Sequence, residues 1–228
     1  DTGRPLIKEI KFGTDPRKGK LESFYHLTNR GKNELLENRI VEEESILMPK
    51  GTSTMFANDY EHRKMTIDCH IACVQSCDKE GIELLQFDRY FDKTGNNRSG
   101  KNLKAKTSIV YPGGYIIADG SFLIKKGGTS RLYALEVYND RNTKRIVGQL
   151  YKHVEGIKDS SLCQHFGIEK GHRVCCVFSH EGIMKQVMER FEGEEYSKYF
   201  LFRYSKSTHS SFLQKWWLIE KGEFGLIG

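Results

Sequence analysis

Two apolar runs separated by a short glycine turn constrain this chain more than any other feature. The first is Gly114–Ile124 (GYIIADGSFLI) and the second is Arg131–Asn139 (RLYALEVYN), with Lys125-Lys-Gly-Gly128 between them. Runs of that length, rich in aliphatic and aromatic residues and bounded by paired glycines, predict a β-hairpin. Each run carries one carboxylate, Asp119 and Glu136. They are distant in sequence, yet the hairpin lets them meet at one point. A helical segment over residues 141–158 follows at once. In it Ile146, Leu150, Val154 and Ile157 repeat at four, four and three, which makes an apolar face.

Two carboxylates brought together repel each other unless they share a cation, and a divalent metal facing a phosphodiester is one solution to that problem. The alternative is structural: Asp119 caps a turn and Glu136 is a solvated strand residue. Beside the apolar face of the following helix, Arg141, Arg145, Gln149 and Lys152 form a polar stripe. The stripe starts next to Glu136, where it would neutralise a nucleic-acid backbone without reading sequence. A solvated helix face explains the same spacing.

The rest of the composition limits the possibilities. The 228 residues suit one domain or a domain with a small appendage, and a hydrophobic share of 38% is enough for a core. A mean hydropathy of -0.57 predicts a soluble chain, and no apolar run approaches the roughly 20 residues that span a bilayer. No signal peptide is read at the start. The formal net charge of +6 mildly favours a polyanionic partner. Six cysteines stand at positions 69, 73, 77, 163, 175 and 176, and none of their spacings matches the paired knuckles of a structural zinc site. Cys69, Cys73 and Cys77 fall on one helical stripe with Met65, and Cys175 and Cys176 point to opposite faces of a strand. All six read as buried thiols of a reducing compartment, which predicts a cytoplasmic location.

Along the chain, residues 1–45 read as a unit separate from residues 46–228. Strands over 8–12 and 23–27 flank a basic, turn-rich loop, Gly13–Lys20, and Thr28 caps a helix over 29–37. A hairpin with Arg17, Lys18 and Lys20 at its tip, followed by a helix, is similar to the wing of a winged-helix DNA-binding domain. The second unit begins with a helix over 58–77 whose apolar residues are Met65, Cys69, Ala72, Cys73 and Val74. A strand follows over 83–91. The segment 96–106, with Arg98 and Lys101 among its basic residues, has no apolar face and is expected to be a surface loop. After the hairpin and its helix come a strand over 173–178, a helix over 182–191, and strands over 200–203 and 216–219. The order predicts a mixed α/β domain of three layers.

Several segments together resemble a known family. The hairpin with Asp, then Glu, then a helix is similar to the restriction-endonuclease-like (PD-(D/E)xK) nuclease core. Ser23–Leu36 (SFYHLTNRGKNELL), the helix segment His62–Asp68 (HRKMTID) and the run IIADGSF followed by YALEVYNDRNTKRIVGQLYKHV resemble motifs of the replication-relaxation family of plasmid proteins, one branch of which contains the MobC-type conjugative relaxases. The resemblance covers about Ser23 to Val154. It implies a metal site at Asp119 and Glu136 holding Mg²⁺ or Mn²⁺, flanked by a helix bearing His62 and Asp68. Those two are six apart, about 120° around an ideal helix, so both cannot face one point without a kink or a long reach. Asp68 is the expected third ligand or supporting partner, and His62 reads as an acid or base or as a surface histidine. The nuclease pattern places Lys two residues after the Glu, where this chain has Tyr138. Lys144 or Lys125 would then have to supply the positive charge, or Tyr138 would hold a 5′-phosphate covalently or orient water. Tyr138 is equally readable as a core residue.

The resemblance thus implies a metal-dependent, strand-specific DNA nickase acting at a plasmid origin of transfer, with accessory mobilisation or coupling proteins as further partners. The alternative is a DNA-binding or replication-accessory protein that keeps the same core without cleavage. A scaffold using the aromatic C-terminal part (Tyr196, Tyr199, Phe200, Phe202, Trp216, Trp217) is a third class, although such aromatics also build cores.

Overall fold

In the computed structural model, residues 3, 5–43, 46, 48, 59–95, 103–169, 171–207 and 211–227 are described. The chain divides into two units, residues 1–60 with 97–101 and residues 61–96 with 102–228. Residue 45, where the sequence places the end of the N-terminal unit, lies outside the described residues, as do Arg98 and Lys101.

In the first unit, β1 (Ile7–Ile10) pairs antiparallel with β4 (Phe24–Leu27), and β2 (Thr14–Asp15) pairs with β3 (Gly19–Lys20). The Asp15 carboxylate accepts the backbone N–H groups of Arg17 and Lys18 at 2.8 and 3.0 Å, which closes the turn and leaves the basic tip exposed. Helix α1 (Asn29–Glu37) is capped by Thr28, whose hydroxyl accepts from the Gly31 N–H. Gly31 is required there, because a Cβ would collide with the Leu6 carbonyl.

The second unit is a mixed α/β domain built on a seven-stranded sheet. Its order is β15 (Gly222–Phe224), β14 (Trp216–Leu218), β13 (Phe200–Tyr204), β12 (Arg173–Phe178), β11 (Thr129–Tyr138), β10 (Gly120–Lys126) and β5 (Glu83–Arg89). The three strands β11, β12 and β13 run parallel, and the other pairings are antiparallel. Helix α2 (Tyr60–Glu80) places Cys69, Cys73 and Cys77 in one core layer with Phe122, Leu135, Cys175 and Val177. The opposite layer joins Ala134, Tyr138 and Cys176 to Ile146, Leu150, Val154 and Ile157 of α3 (Thr143–Lys158). It also takes in Leu162 of α4 (Ser161–Phe166) and Val187 and Phe191 of α5 (Glu181–Phe191). Strands covered on both faces read as near-continuous apolar runs, which is why RVCCVF shows no alternation. All six cysteines are free and buried, with Cys175 and Cys176 in opposite layers.

Several expectations are corrected. Val74 is 44% exposed rather than part of the apolar face of α2. Part of the expected surface loop is structured, since β7 (Lys104–Ala105) pairs with β6 (Lys93–Thr94). A separate hairpin of β8 (Ser108–Tyr111) and β9 (Gly114–Ile117) precedes β10, so the first apolar run is two strands broken at Ala118 and Asp119. Helix α4 and strand β15 have no counterpart in the sequence reading. Five helices and seven main-sheet strands are present among the described residues.

Candidate functional site

The turn at Gly127 and Gly128, with φ of 54° and 82°, pairs Lys126 with Thr129 and carries that register to Gly120 opposite Leu135. One step further, Asp119 stands opposite Glu136, at the sheet edge where the parallel strands end. The Asp119 carboxylate accepts the backbone N–H of Val137 at 2.7 Å through Oδ2 and the His62 ring N–H at 2.7 Å through Oδ1. The Glu136 side chain lies under α3, on the face of β11 that Tyr138 shares, and still shares a hydrogen bond with Asp119. Its Oε2 accepts from the Gln149 amide at 2.6 Å and its Oε1 from the His153 Nε2–H at 2.6 Å. Gln149 and His153 are one helical turn apart, so a single face of α3 grips both oxygens.

Burial sets the electrostatics. Glu136 is fully buried and Asp119 is 7% exposed. Burial pushes the Glu136 carboxyl well above the usual range, and the charge of Asp119 and a hydrogen bond shared with it push the same way, while Arg145 opposes them. Burial holds His153 neutral, with a pKa lowered to about 3, and nearby His172 adds to the shift. A neutral His153 that donates from Nε2 has a bare Nδ1, and that buried atom has no partner among the described residues.

The chain has no match among known protein-family models or among curated proteins. No helix among the described residues is long and apolar enough to cross a membrane.

The remaining sequence candidates sort by position. His62 reaches Asp119, whereas Asp68 pairs with Lys64 at 2.8 Å and lines a neighbouring cleft. The six-residue spacing turned one toward the carboxylate and the other away. Gln149 leaves the expected basic stripe, because its amide is committed to Glu136. Arg141 and Lys152 remain exposed, and Arg145 pairs with Asp140, whose other oxygen accepts the Asn142 N–H at 2.8 Å. Lys144 is exposed in the first turn of α3. Lys125 lies six residues along β10 from Asp119, about 20 Å away on an extended strand, and faces Glu83 at 3.8 Å. It cannot serve the pair.

Tyr138 shares a face with Glu136 and is 2% exposed, with its ring 4.9 Å from that of Phe178. Its hydroxyl has no hydrogen-bond partner among the described residues, and burial pushes the phenol well above its ordinary range. His153 was missed in the sequence. Its signal was the Gln149-x-x-x-His153 spacing, which places two polar side chains together on the flank of an apolar face.

Among the described residues, no three His, Cys, Asp or Glu side chains are arranged to hold a metal ion by themselves. Mg²⁺ and Mn²⁺ do not demand that, since such ions are commonly held by one or two carboxylates with water and substrate phosphate. His62, Val137, Gln149 and His153 each hold one of the four carboxylate oxygens, and a hydrogen bond also links the two carboxyls. Carboxylate oxygens are the kind of donor a hard divalent cation takes.

Proposed function

We propose that Asp119 and Glu136 form a divalent-cation site for phosphodiester cleavage in DNA. The observation that carries this reading is the juxtaposition of the two carboxylates, one of them fully buried, with four separate donors fixing their oxygens. Like charges this close favour protonation of one carboxyl, and a divalent ion replaces that proton while neutralising both. When bound, the ion would polarise the scissile phosphate and lower the pKa of attacking water. Val137 and His62 orient Asp119, and Gln149 and His153 orient Glu136. Arg145, at the start of α3, is the cation whose charge reaches Glu136. Water is the favoured nucleophile, because Tyr138 is enclosed and its phenol resists ionisation.

On the motif resemblance, the core is a restriction-endonuclease-like nuclease and the N-terminal unit the remnant of a winged helix. Arg17, Lys18 and Lys20 would hold flanking duplex, as would Arg141, Arg145 and Lys152. The substrate would be a plasmid origin of transfer, cut on one strand by a cytoplasmic relaxase. Supercoiled plasmid carrying such an origin, incubated with Mn²⁺ or with EDTA, tests this on a gel. Open circles with Mn²⁺ alone support it, and unchanged supercoils in both rule it out.

A second reading is favoured by one observation: Tyr138 occupies the place of the motif lysine and is buried core. A DNA-binding or replication-accessory protein without cleavage would keep the fold and lose that charge. Binding of origin DNA without metal-dependent nicking would select it.

A further inference from the structure

A cleft of ≈ 570 Å³ opens at the sheet edge where β12 and β13 end. In open α/β sheets the crevice outside the carboxyl ends of the strands is the usual ligand position. Two of its walls continue into the contacts that fix Asp119. Val177 in the cleft is paired in register with Val137, whose N–H holds Asp119 Oδ2, and Glu61 precedes His62, which holds Oδ1. The floor is apolar, from Met65 and Ala72 of α2 to Phe212. The lining also holds Lys64, which pairs with Asp68, together with Glu61, Lys206 and Arg203, so that basic side chains outnumber acidic ones by one. Arg203 is itself 3% exposed, and its Nη1 donates to the carbonyls of Ser211, Phe212 and Gln214 at 3.1 Å each. That network fixes the guanidinium in the wall.

We infer that this cleft takes one unpaired nucleotide of the DNA strand whose phosphate lies at Asp119 and Glu136. The inference rests on the nuclease reading for the position of the phosphate. An apolar floor suits the faces of a base, and the excess positive charge suits a phosphate. The volume lies in the range of small-ligand pockets, about 300–1,000 Å³, and has no room for a duplex. A base that enters has therefore left its partner, so the chain binds a locally melted or single-stranded site. Base burial of this kind tolerates any sequence, because every base presents an apolar face.

The test is binding by the full chain in EDTA, where no cleavage occurs. A single-stranded oligonucleotide carrying 2-aminopurine and a duplex of equal length are the probes. Ala72→Trp fills the floor from a half-buried helix position, and Lys206→Ala removes an exposed rim charge without touching the core. Single-strand binding should weaken at least tenfold in the first variant and about threefold in the second, with duplex binding unchanged and the 2-aminopurine signal lost. Failure of the wild-type chain to bind single strands overturns the inference. So does an equal effect of both variants on single strand and duplex, or none on either. Competition by a free mononucleotide with no preference for the oligonucleotide also overturns it, in favour of a small-molecule pocket. If Ala72-sensitive binding persists but Mn²⁺ gives no nicking, the chemistry fails and the cleft stands.

Discussion

His153 and Glu136 meet at 2.6 Å with neither side chain exposed to solvent. Removing the imidazole leaves a buried carboxylate short of a donor and opens a void beside α3. His153→Ala should therefore destabilise the protein by about 2–4 kcal/mol, which lowers Tm by roughly 2–4 °C for each kcal/mol. His153→Gln keeps a donor and should lose less than half as much. Urea unfolding of the three proteins measures both, and equal midpoints would show that the pair supports nothing.

Asp119→Asn and Glu136→Gln preserve shape and remove one ligand charge each. Either change should abolish Mn²⁺ binding in calorimetry and reduce nicking by at least a hundredfold. Duplex affinity in EDTA should stay within about twofold, since neither carboxylate carries backbone contacts. Wild-type nicking in either variant would end the metal-site reading.

Tyr138→Phe deletes a buried hydroxyl that has no hydrogen-bond partner among the described residues. Stability should be unchanged or rise by up to about 1 kcal/mol, because an unpaired buried hydroxyl costs free energy. Nicking should persist within about tenfold, and no DNA should stay attached to denatured wild-type protein. A dead variant together with a denaturation-resistant adduct in the wild type would make Tyr138 the nucleophile.

His153 and His172 are buried and neutral, with pKa values lowered to about 3 and about 4. Both must bind a proton on unfolding once the pH falls below their unfolded value near 6.5. Their contribution is present above that pH and is lost as the pH falls toward their folded values. Each adds up to about 1.4 kcal/mol per pH unit to the acid slope. Glu136 acts in the opposite sense, since its raised folded pKa means a proton is gained on folding. Its contribution is present at low pH and fades as the pH rises from about 4.5 through its folded pKa. His172→Asn should flatten the stability curve between pH 4.5 and 6.5 by about one proton. Urea midpoints across that window decide it, and an unchanged slope would mean His172 is charged in the folded protein.

Arg145 and Lys152 remain on the solvent side of α3 after Gln149 is withdrawn from the stripe. Replacing both with Ala should weaken every duplex alike and reduce the salt slope of binding by up to about 2, one per lost phosphate contact. Gln149→Ala should leave that slope untouched and instead reduce Mn²⁺ affinity. Anisotropy titrations over a salt series separate the two, and a flatter slope for Gln149→Ala would return it to the stripe.

The meeting of Asp119 and Glu136 was legible because hairpin register is local: the two-glycine turn fixes it and the alternation carries it. The core face of α3 was legible for the same reason, a fixed period over consecutive residues. His153 was hidden because its role depends on the strand beneath the helix, and a histidine on an apolar flank reads as core. That His62 rather than Asp68 meets Asp119 was not legible, because rotation of α2 about its axis is set by packing of its cysteine stripe, not by the charge of the candidates. Helix α4 and strands β8 and β15 span six, four and three residues, too short for periodicity to show.

The Gly127–Gly128 turn lies about 25 Å along β11 from Glu136 and touches none of the residues around it. Yet the site depends on its length. One residue added there, and not absorbed as a bulge, would slide β11 by one position and exchange its faces. Glu136 would then look toward the cysteine layer, and Leu135 would stand under Gln149 and His153. For an engineer, the least forgiving position of the candidate site would be a pair of solvent-exposed glycines at the other end of the sheet.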